Sequence, residues 1–192
     1  MSKVVLASSS HRRKLLLEWA EFEFDVLFRE TDESYPEGLD FEEIAVHVAR
    51  GKALATMQSE LYNRYDPNVP VIGADTTVIL HGQIIGKPVN RDEAIRILTA
   101  LSGQKHQVIT GVVIMTRQKE ISFTDKTDVV FHTLSRADIE FYVDKYKPYD
   151  KAGAYAIQEW IGVVGIKEIH GDFYNVMGLP VSKLIHQLAA HF

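Results

Sequence analysis

The sequence predicts an α/β fold, a mixed and twisted sheet flanked by helices and arranged in two lobes. Three observations predict it. Short apolar strands alternate with helical segments in the first third of the chain, two long β segments meet at a polar turn near its middle, and no internal repeat, low-complexity tract or long linker divides the 192 residues. Crossovers favour parallel strands and tight turns favour antiparallel ones, so the sheet has to be mixed.

Val4 to Ala7 is uniformly apolar and reads as a buried strand, followed by a helix from Arg12 to Ala20 with Leu15, Leu16 and Trp19 on its inner face. Phe22 to Phe28 alternates like a second strand. The polar loop RETDESYPEGLD leads to a helix from about Phe41 to Glu60, where Asp40 and Glu43 have capping-box spacing. PVIGAD and TTVILHGQIIG then form a strand that continues into a hairpin turned at His81-Gly82. Asn90 with Glu93 caps a helix ending near Ser102-Gly103. Gln107 to Thr116 and Ile121 to Thr133, separated by RQKE, read as an antiparallel pair. Ser135 with Asp138 starts a helix to about Tyr146, and WIGVVGIKEIHG reads as a late strand. Pro180 opens a terminal helix, at a position where its missing N–H costs nothing.

Composition narrows the function. Apolar residues make up 46% of the chain, enough to fill the core of one domain spanning residues 1–192. A formal charge of −5 argues against retention on nucleic acid or anionic lipid by bulk electrostatics, so any positive site is local. With no cysteine there is no disulfide framework, zinc–thiolate centre or thiol nucleophile. MSKVVLASSS has a single lysine and too short an apolar run to read as a signal peptide, no run of about 18 apolar residues occurs, and the expectation is a cytoplasmic protein without membrane or nucleic-acid partners.

Ligands of such sheets settle beyond strand carboxyl ends, so polar residues just after strands carry the most information. LASSSHRRKLL places Ser8, Ser9 and Ser10 between a strand end and a first helical turn, with Arg12 and Arg13 supplying planar forks; it reads equally as a phosphate cradle or as a serine N-cap with solvated arginines. No Walker motif occurs. Asp75 ends an apolar strand in IGADTTVI and either holds a divalent cation or takes a proton from water, or merely caps a turn. Glu33 in DESYP is a second acid suited to a metal or a water, or else solvated. Lys52 in VARGKALA and Lys87 in IIGKPV are either surface lysines or phosphate contacts. Cations gathered with an acid at a strand end are what phosphoryl transfer needs. In PYDKAGAYAIQEWIG, small residues permit close approach and the Gln158 amide can read a base edge, or the loop simply packs with Tyr155 and Trp160 in the core. His106 reads as a satisfied strand-start histidine rather than a ligand. Phe141, Tyr142 and Tyr146 on one helix leave open a homodimer face or inward packing.

The motifs LASSSHRR, DESYP, ARGKA, GADTTV, GKP, LSGQKHQVITG and DKAGAYAIQ, in this order over nearly the whole chain, resemble the Maf family of nucleoside triphosphate pyrophosphatases. The resemblance implies a mixed α/β fold related to the inosine triphosphate pyrophosphatases, with a deep nucleotide cleft between lobes. It implies cleavage of a nucleoside triphosphate between the α and β phosphates, with a divalent metal, Mg²⁺ or Mn²⁺, as cofactor. Carried onto matching positions, it makes Asp75 the acceptor that activates a metal-bound water and Glu33 its assistant at the metal. Ser8, Arg13, Lys52 and Lys87 would hold the phosphates, and Arg12, Thr76 and Gln158 match positions linked to base selection. DKAGAYAIQ is similar to the branch acting on dTTP and UTP, which implies clearance of surplus or non-canonical nucleotides. Rival readings are the same chemistry on 7-methyl-GTP or another modified nucleotide, and a nucleotide sensor in septum formation. His11 stands where the family often has proline, and Thr77 where an apolar residue is common.

Overall fold

The structure, a computed structural model, describes residues 3–192. The strands are β1 (Val4–Leu6), β2 (Phe24–Val26), β3 (Val71–Leu80), β4 (Gln83–Ile85), β5 (Lys105–Met115), β6 (Glu120–Phe131) and β7 (Ile166–His170). The helices are α1 (His11–Trp19), α2 (Phe41–Met57), α3 (Arg91–Leu101), α4 (Arg136–Tyr146), α5 (Trp160–Gly165), α6 (Phe173–Met177) and α7 (Val181–His191). Among the described residues the strands form one seven-stranded sheet, ordered β2-β1-β3-β5-β6-β7 with β4 on β3. β1 runs parallel to β2 and β3, whereas β4 is antiparallel to β3 and β7 to β6, so the sheet is mixed as expected. β5 and β6 are neighbours joined by a tight turn that Thr116 N–H closes on Lys119 C=O at 2.8 Å, which forces them antiparallel.

Helix starts fall where side-chain chemistry puts them. Asp40 and Ser135 each accept from the backbone of the third helical residue, and Glu43 and Asp138 return the bond in full capping boxes. Asn90 caps α3 on Glu93 N–H. Pro180 is the N-cap of α7, one position before the first helical residue.

Other expectations are corrected. WIGVVGIKEIHG is not one strand: Trp160–Gly165 is a short helix and only Ile166–His170 is extended. Gly162 explains the difference, because a Cβ there would fall 1.7 Å from the Ile157 carbonyl oxygen, so the backbone can fold back at this point. On α1 the inner face is Arg13, Leu16 and Leu17, while Trp19 is 58% exposed. Arg13 takes an inward position because its charge finds oxygens there. Tyr142 packs inward and Phe141 is exposed.

The chain divides into two compact units, one of residues 1–76, 110–125 and 178–192 and the other of 77–109 and 126–177, and β3, β5 and β6 each contribute to both. In the first unit α2 lies directly on β3 and β5. A Cβ on Gly73 would come within 2.2 Å of the Ala49 carbonyl oxygen, and one on Gly111 within 2.4 Å of the Ala45 carbonyl carbon. Ala45, Ala49 and Ala53 complete this stripe without any exposure, and Val5, Val71, Val113 and Tyr62 fill the core beside it. In the second unit Val78, Val108 and Val129 form a smaller core with Ile85, Ile166 and Val176 around it.

Gly111→Ala is therefore expected to lower unfolding free energy by about 1–3 kcal/mol, since it meets backbone that cannot yield, and urea denaturation of the variant measures this.

Candidate active site

The opening serine-rich stretch is a hub of hydrogen bonds. Ser8, buried beyond β1, accepts from Ser10 N–H at 3.2 Å and from Arg13 Nη1 at 3.2 Å. Ser10 is the N-cap of α1, as one reading of the stretch expects, but Arg13 is buried rather than solvated and Ser8 turns toward it. The Arg13 guanidinium, only 8% exposed, also donates from Nε to the Gly178 carbonyl at 2.8 Å and from Nη2 to Thr76 Oγ1 at 3.1 Å. Thr76 Oγ1 in turn lies 3.0 Å from Thr110 Oγ1. Burial lowers the Arg13 pKa to about 10, with the Asp75 and Glu33 carboxylates opposing the shift and Arg12 adding to it, so Arg13 stays charged at neutral pH. Arg13 thus holds Ser8 and Thr76 in place through a rigid fork. His11 is the first residue of α1, and the helix starts there without the family's proline.

Asp75 and Thr76 are consecutive on β3, so their side chains leave opposite faces of the strand. Thr76 meets Arg13 of α1, and Asp75 meets Lys52 of α2. Lys52 sits in the alanine stripe of α2, and its ammonium donates to Asp75 Oδ1 at 2.6 Å and pairs with Glu33 Oε1 at 2.8 Å. The lysine is not a surface residue but a buried cation that two carboxylates neutralise. Asp75 does not end its strand as expected but stands in the middle of β3, which runs on unbroken through Thr76 and Thr77 to Leu80, and Glu33, whose side chain is half exposed, reaches the same lysine from the long loop before α2. Among the described residues no group of three or more His, Cys, Asp or Glu side chains could hold a metal by itself. The Asp75 and Glu33 pair nonetheless fits Mg²⁺ or Mn²⁺, hard cations that take one or two carboxylates and complete their shell with water and phosphate oxygens.

Lys87 and Gln158 belong to the second unit. Lys87 is exposed after β4, and Gln158 is exposed at the end of a run of buried residues, 153–157. That run opens on two successive residues in the left-handed region, Gly153 at φ 70° and Ala154 at φ 58°. Gly153 N–H reaches the Gly86 carbonyl at 3.2 Å, tying the loop to the residue before Lys87. Tyr155 is buried as expected, its hydroxyl 2.7 Å from His106 Nε2. Tyr142 accepts from Ala156 N–H at 3.1 Å and donates to Glu159. His106 is satisfied on one nitrogen alone, because its buried Nδ1 has no partner. Thr77, the second departure, donates to the Ile109 carbonyl at 3.4 Å.

The structure therefore gathers Ser8, Arg13, Glu33, Lys52, Asp75 and Thr76 in the first unit, where Arg12 also lies beside Arg13 in the chain. Sequence reasoning missed Thr110 and Gly178, which complete the Arg13 hub. Thr110 lies inside the quoted VITG motif, but Gly178 acts through its carbonyl and leaves no side-chain signal. No helix among the described residues is long and apolar enough to cross a membrane.

In architecture the chain resembles the Ham1 protein of Staphylococcus aureus, with a TM-score of 0.53 and 17% identity over the whole of both chains, which establishes the fold class. Residues 3–191 match the family described as Maf-like protein, and the chain belongs to that family. It is 48% identical to a dTTP/UTP pyrophosphatase of Parabacteroides distasonis, covering 99% of this chain and 96% of that one. It is 47% identical to a dTTP/UTP pyrophosphatase of Cytophaga hutchinsonii, covering 98% and 84% respectively. A protein of the same name from Porphyromonas gingivalis is 45% identical, over 97% of this chain and 92% of its own.

Two outcomes follow from these contacts. Arg13→Lys keeps a charge but can satisfy at most part of the hub, and urea denaturation is expected to show a loss of about 2–4 kcal/mol. His106 is held neutral by burial, which lowers its pKa from 6.5 to about 4 against a weak opposing pull from Asp128. Below pH 6.5 the unfolded chain takes up this proton before the folded one does, so stability falls with pH down to about 4 and this contribution then levels off. Relative to His106→Gln, the wild type is expected to lose about 2–3 kcal/mol between pH 7 and pH 4.5, read from urea midpoints at each pH.

Proposed function

We propose that the chain hydrolyses nucleoside triphosphates between the α and β phosphates, releasing a monophosphate and pyrophosphate, with dTTP and UTP as its substrates. The observation that carries this reading is the Lys52 ammonium held between the Asp75 and Glu33 carboxylates, beside the Ser8–Arg13–Thr76 hub. A binding module has no need of a positioned base, whereas hydrolysis requires an acceptor next to cations that gather phosphate. The names of the full-length relatives support the choice of substrates.

In this mechanism Asp75 accepts the proton of a water aligned with the bond between the α-phosphorus and the leaving oxygen. Lys52 and Lys87 hold phosphate oxygens and stabilise the charge that develops on the pyrophosphate as it departs. Ser8 contributes its hydroxyl, and Arg13 holds Ser8 and Thr76 and adds positive charge. A divalent cation, Mg²⁺ or Mn²⁺, carried by Asp75 and Glu33 supplies charge neutralisation and lowers the pKa of water when bound. Arg12, Thr76 and Gln158 select the base, and the residues 1–192 act as one catalytic domain. The proposed setting is the cytoplasm, where the enzyme clears surplus or non-canonical nucleotides without a nucleic-acid or membrane partner.

Pyrophosphate release from a panel of canonical and modified nucleoside triphosphates with Mg²⁺ or Mn²⁺ tests the reading. dTTP and UTP are expected to lead the panel, and Asp75→Asn to lose on the order of 10²–10⁴-fold in turnover while still binding nucleotide. Near-normal turnover by Asp75→Asn sinks the base assignment, preference for 7-methyl-GTP sinks the substrate assignment, and binding without cleavage transfers the protein to nucleotide sensing.

A further inference from the structure

Tyr155 and His106 lie in the second unit and play no part in the mechanism above. They are nonetheless both buried. His106 is 1% exposed and Tyr155 5%, and with Phe131 they form an aromatic trio: His106 stacks on Phe131 at 5.5 Å, and Tyr155 meets both rings edge-on at 5.5 and 5.2 Å. Their single mutual hydrogen bond, 2.7 Å long, is set in apolar surroundings where it has no competition from water.

The segment this bond anchors is strained. Gly153 and Ala154 both adopt the left-handed region, which an alanine rarely visits, and such a turn persists only where its surroundings over-determine it. The surroundings here are specific. Val78 Cγ2 is 3.1 Å from where a Gly153 Cβ would stand, Gly153 N–H is bonded to Gly86, Ala154 N–H to the Lys151 carbonyl, and Ala156 N–H to Tyr142. After the turn the chain continues through buried Tyr155, Ala156 and Ile157 and then turns out, so that Gln158 is the first exposed side chain. Gly86, at the other end of the Gly153 bond, is the residue before Lys87.

We propose that His106 and Tyr155 are positioning residues for substrate selection: their buried hydrogen bond fixes the 153–158 segment so that Gln158 is presented in one conformation to the nucleotide. This inference rests on the reading above in which Gln158 reads the base. A neutral pair suits the task, because a charge on either ring would have to be buried; burial holds His106 neutral at physiological pH and pushes the Tyr155 phenol up, away from ionisation. The pair acts through Gln158 and touches no reacting atom. Its effect therefore belongs in discrimination between bases and in KM more than in kcat.

The test is a double-mutant cycle of Tyr155→Phe and Gln158→Ala in the full chain, reading kcat and KM for dTTP, UTP, GTP and ATP, with thermal unfolding to confirm that each variant is folded. Each single variant is expected to narrow the preference for dTTP and UTP over GTP and ATP by on the order of tenfold, through KM, and the double variant to narrow it no further. His106→Gln, whose amide reaches the place of the imidazole Nε2 and keeps a partner for the phenol, is expected to retain the wild-type ranking, whereas His106→Leu follows Tyr155→Phe. If Gln158→Ala alters the ranking and Tyr155→Phe leaves it unchanged, the pair is merely structural and the positioning role is overturned while the base reader stands. If Gln158→Ala leaves the ranking unchanged, the base assignment falls and the inference falls with it. Additive losses in the double variant also overturn it, by showing two independent effects. Should His106→Leu fail to fold, the Tyr155 and Gln158 cycle decides the matter alone.

Discussion

Direct backbone contact between α2 and the sheet is the constraint from which the candidate site follows. Gly73 and Gly111 leave room where any side chain would strike the helix, and Ala45, Ala49 and Ala53 face them with the smallest side chains available. The helix consequently lies closer to the strands than a layer of Leu or Ile would allow. Lys52 sits in that same stripe, so its stem is enclosed while its ammonium emerges where β3 presents Asp75. A charge in an apolar stripe is tolerated because two carboxylates meet it, and removing Lys52 would leave both carboxylates without their cation.

Arg13 solves a different problem. Its guanidinium is met by the neutral oxygens of Ser8, Thr76 and Gly178, whereas the Lys52 ammonium is met by anions. The rigid fork turns one buried charge into a bracket that joins the start of α1, the middle of β3 and the chain before α7. Segments far apart in sequence are held together this way, and the positive charge remains in the neighbourhood of Asp75 and Glu33, whose field reaches it. Structural and electrostatic roles coincide in one side chain. A lysine offers a point charge and lacks the geometry to do the same.

The fold was largely legible in residues whose effect is local. Capping pairs at Asp40 and Glu43, Asn90 and Glu93, and Ser135 and Asp138 set helix starts correctly, because a cap is satisfied within three residues of itself. Legibility failed where apolar residues met no such punctuation. WIGVVG has the composition of a strand and forms a helix, since its geometry is decided by the Gly162 backbone packing on Ile157. Hydrophobicity alone places Trp19 inward, yet Arg13 holds the inner face because distant oxygens await it. For the site, the residue types were legible and their partners were not: nothing near Lys52 in sequence announces Glu33 or Asp75.

By itself, then, the sequence determined the alternation of strands and helices, the starts of the capped helices, the local gathering of cations in an acidic chain, and through its motifs the family to which the chain belongs. Those properties depend on residue type and short-range spacing. Tertiary structure alone decided that Lys52 stands between Asp75 and Glu33, that Arg13 is a bracket closed by Thr76 and the Gly178 carbonyl, and that the 153–158 segment hangs on His106 and Tyr155. These are contacts between residues tens of positions apart, and a backbone carbonyl or a left-handed turn leaves little trace in side-chain identity. They exist because close packing of helix on sheet brings polar groups into places without water, where a partner has to come from whatever segment lies nearest.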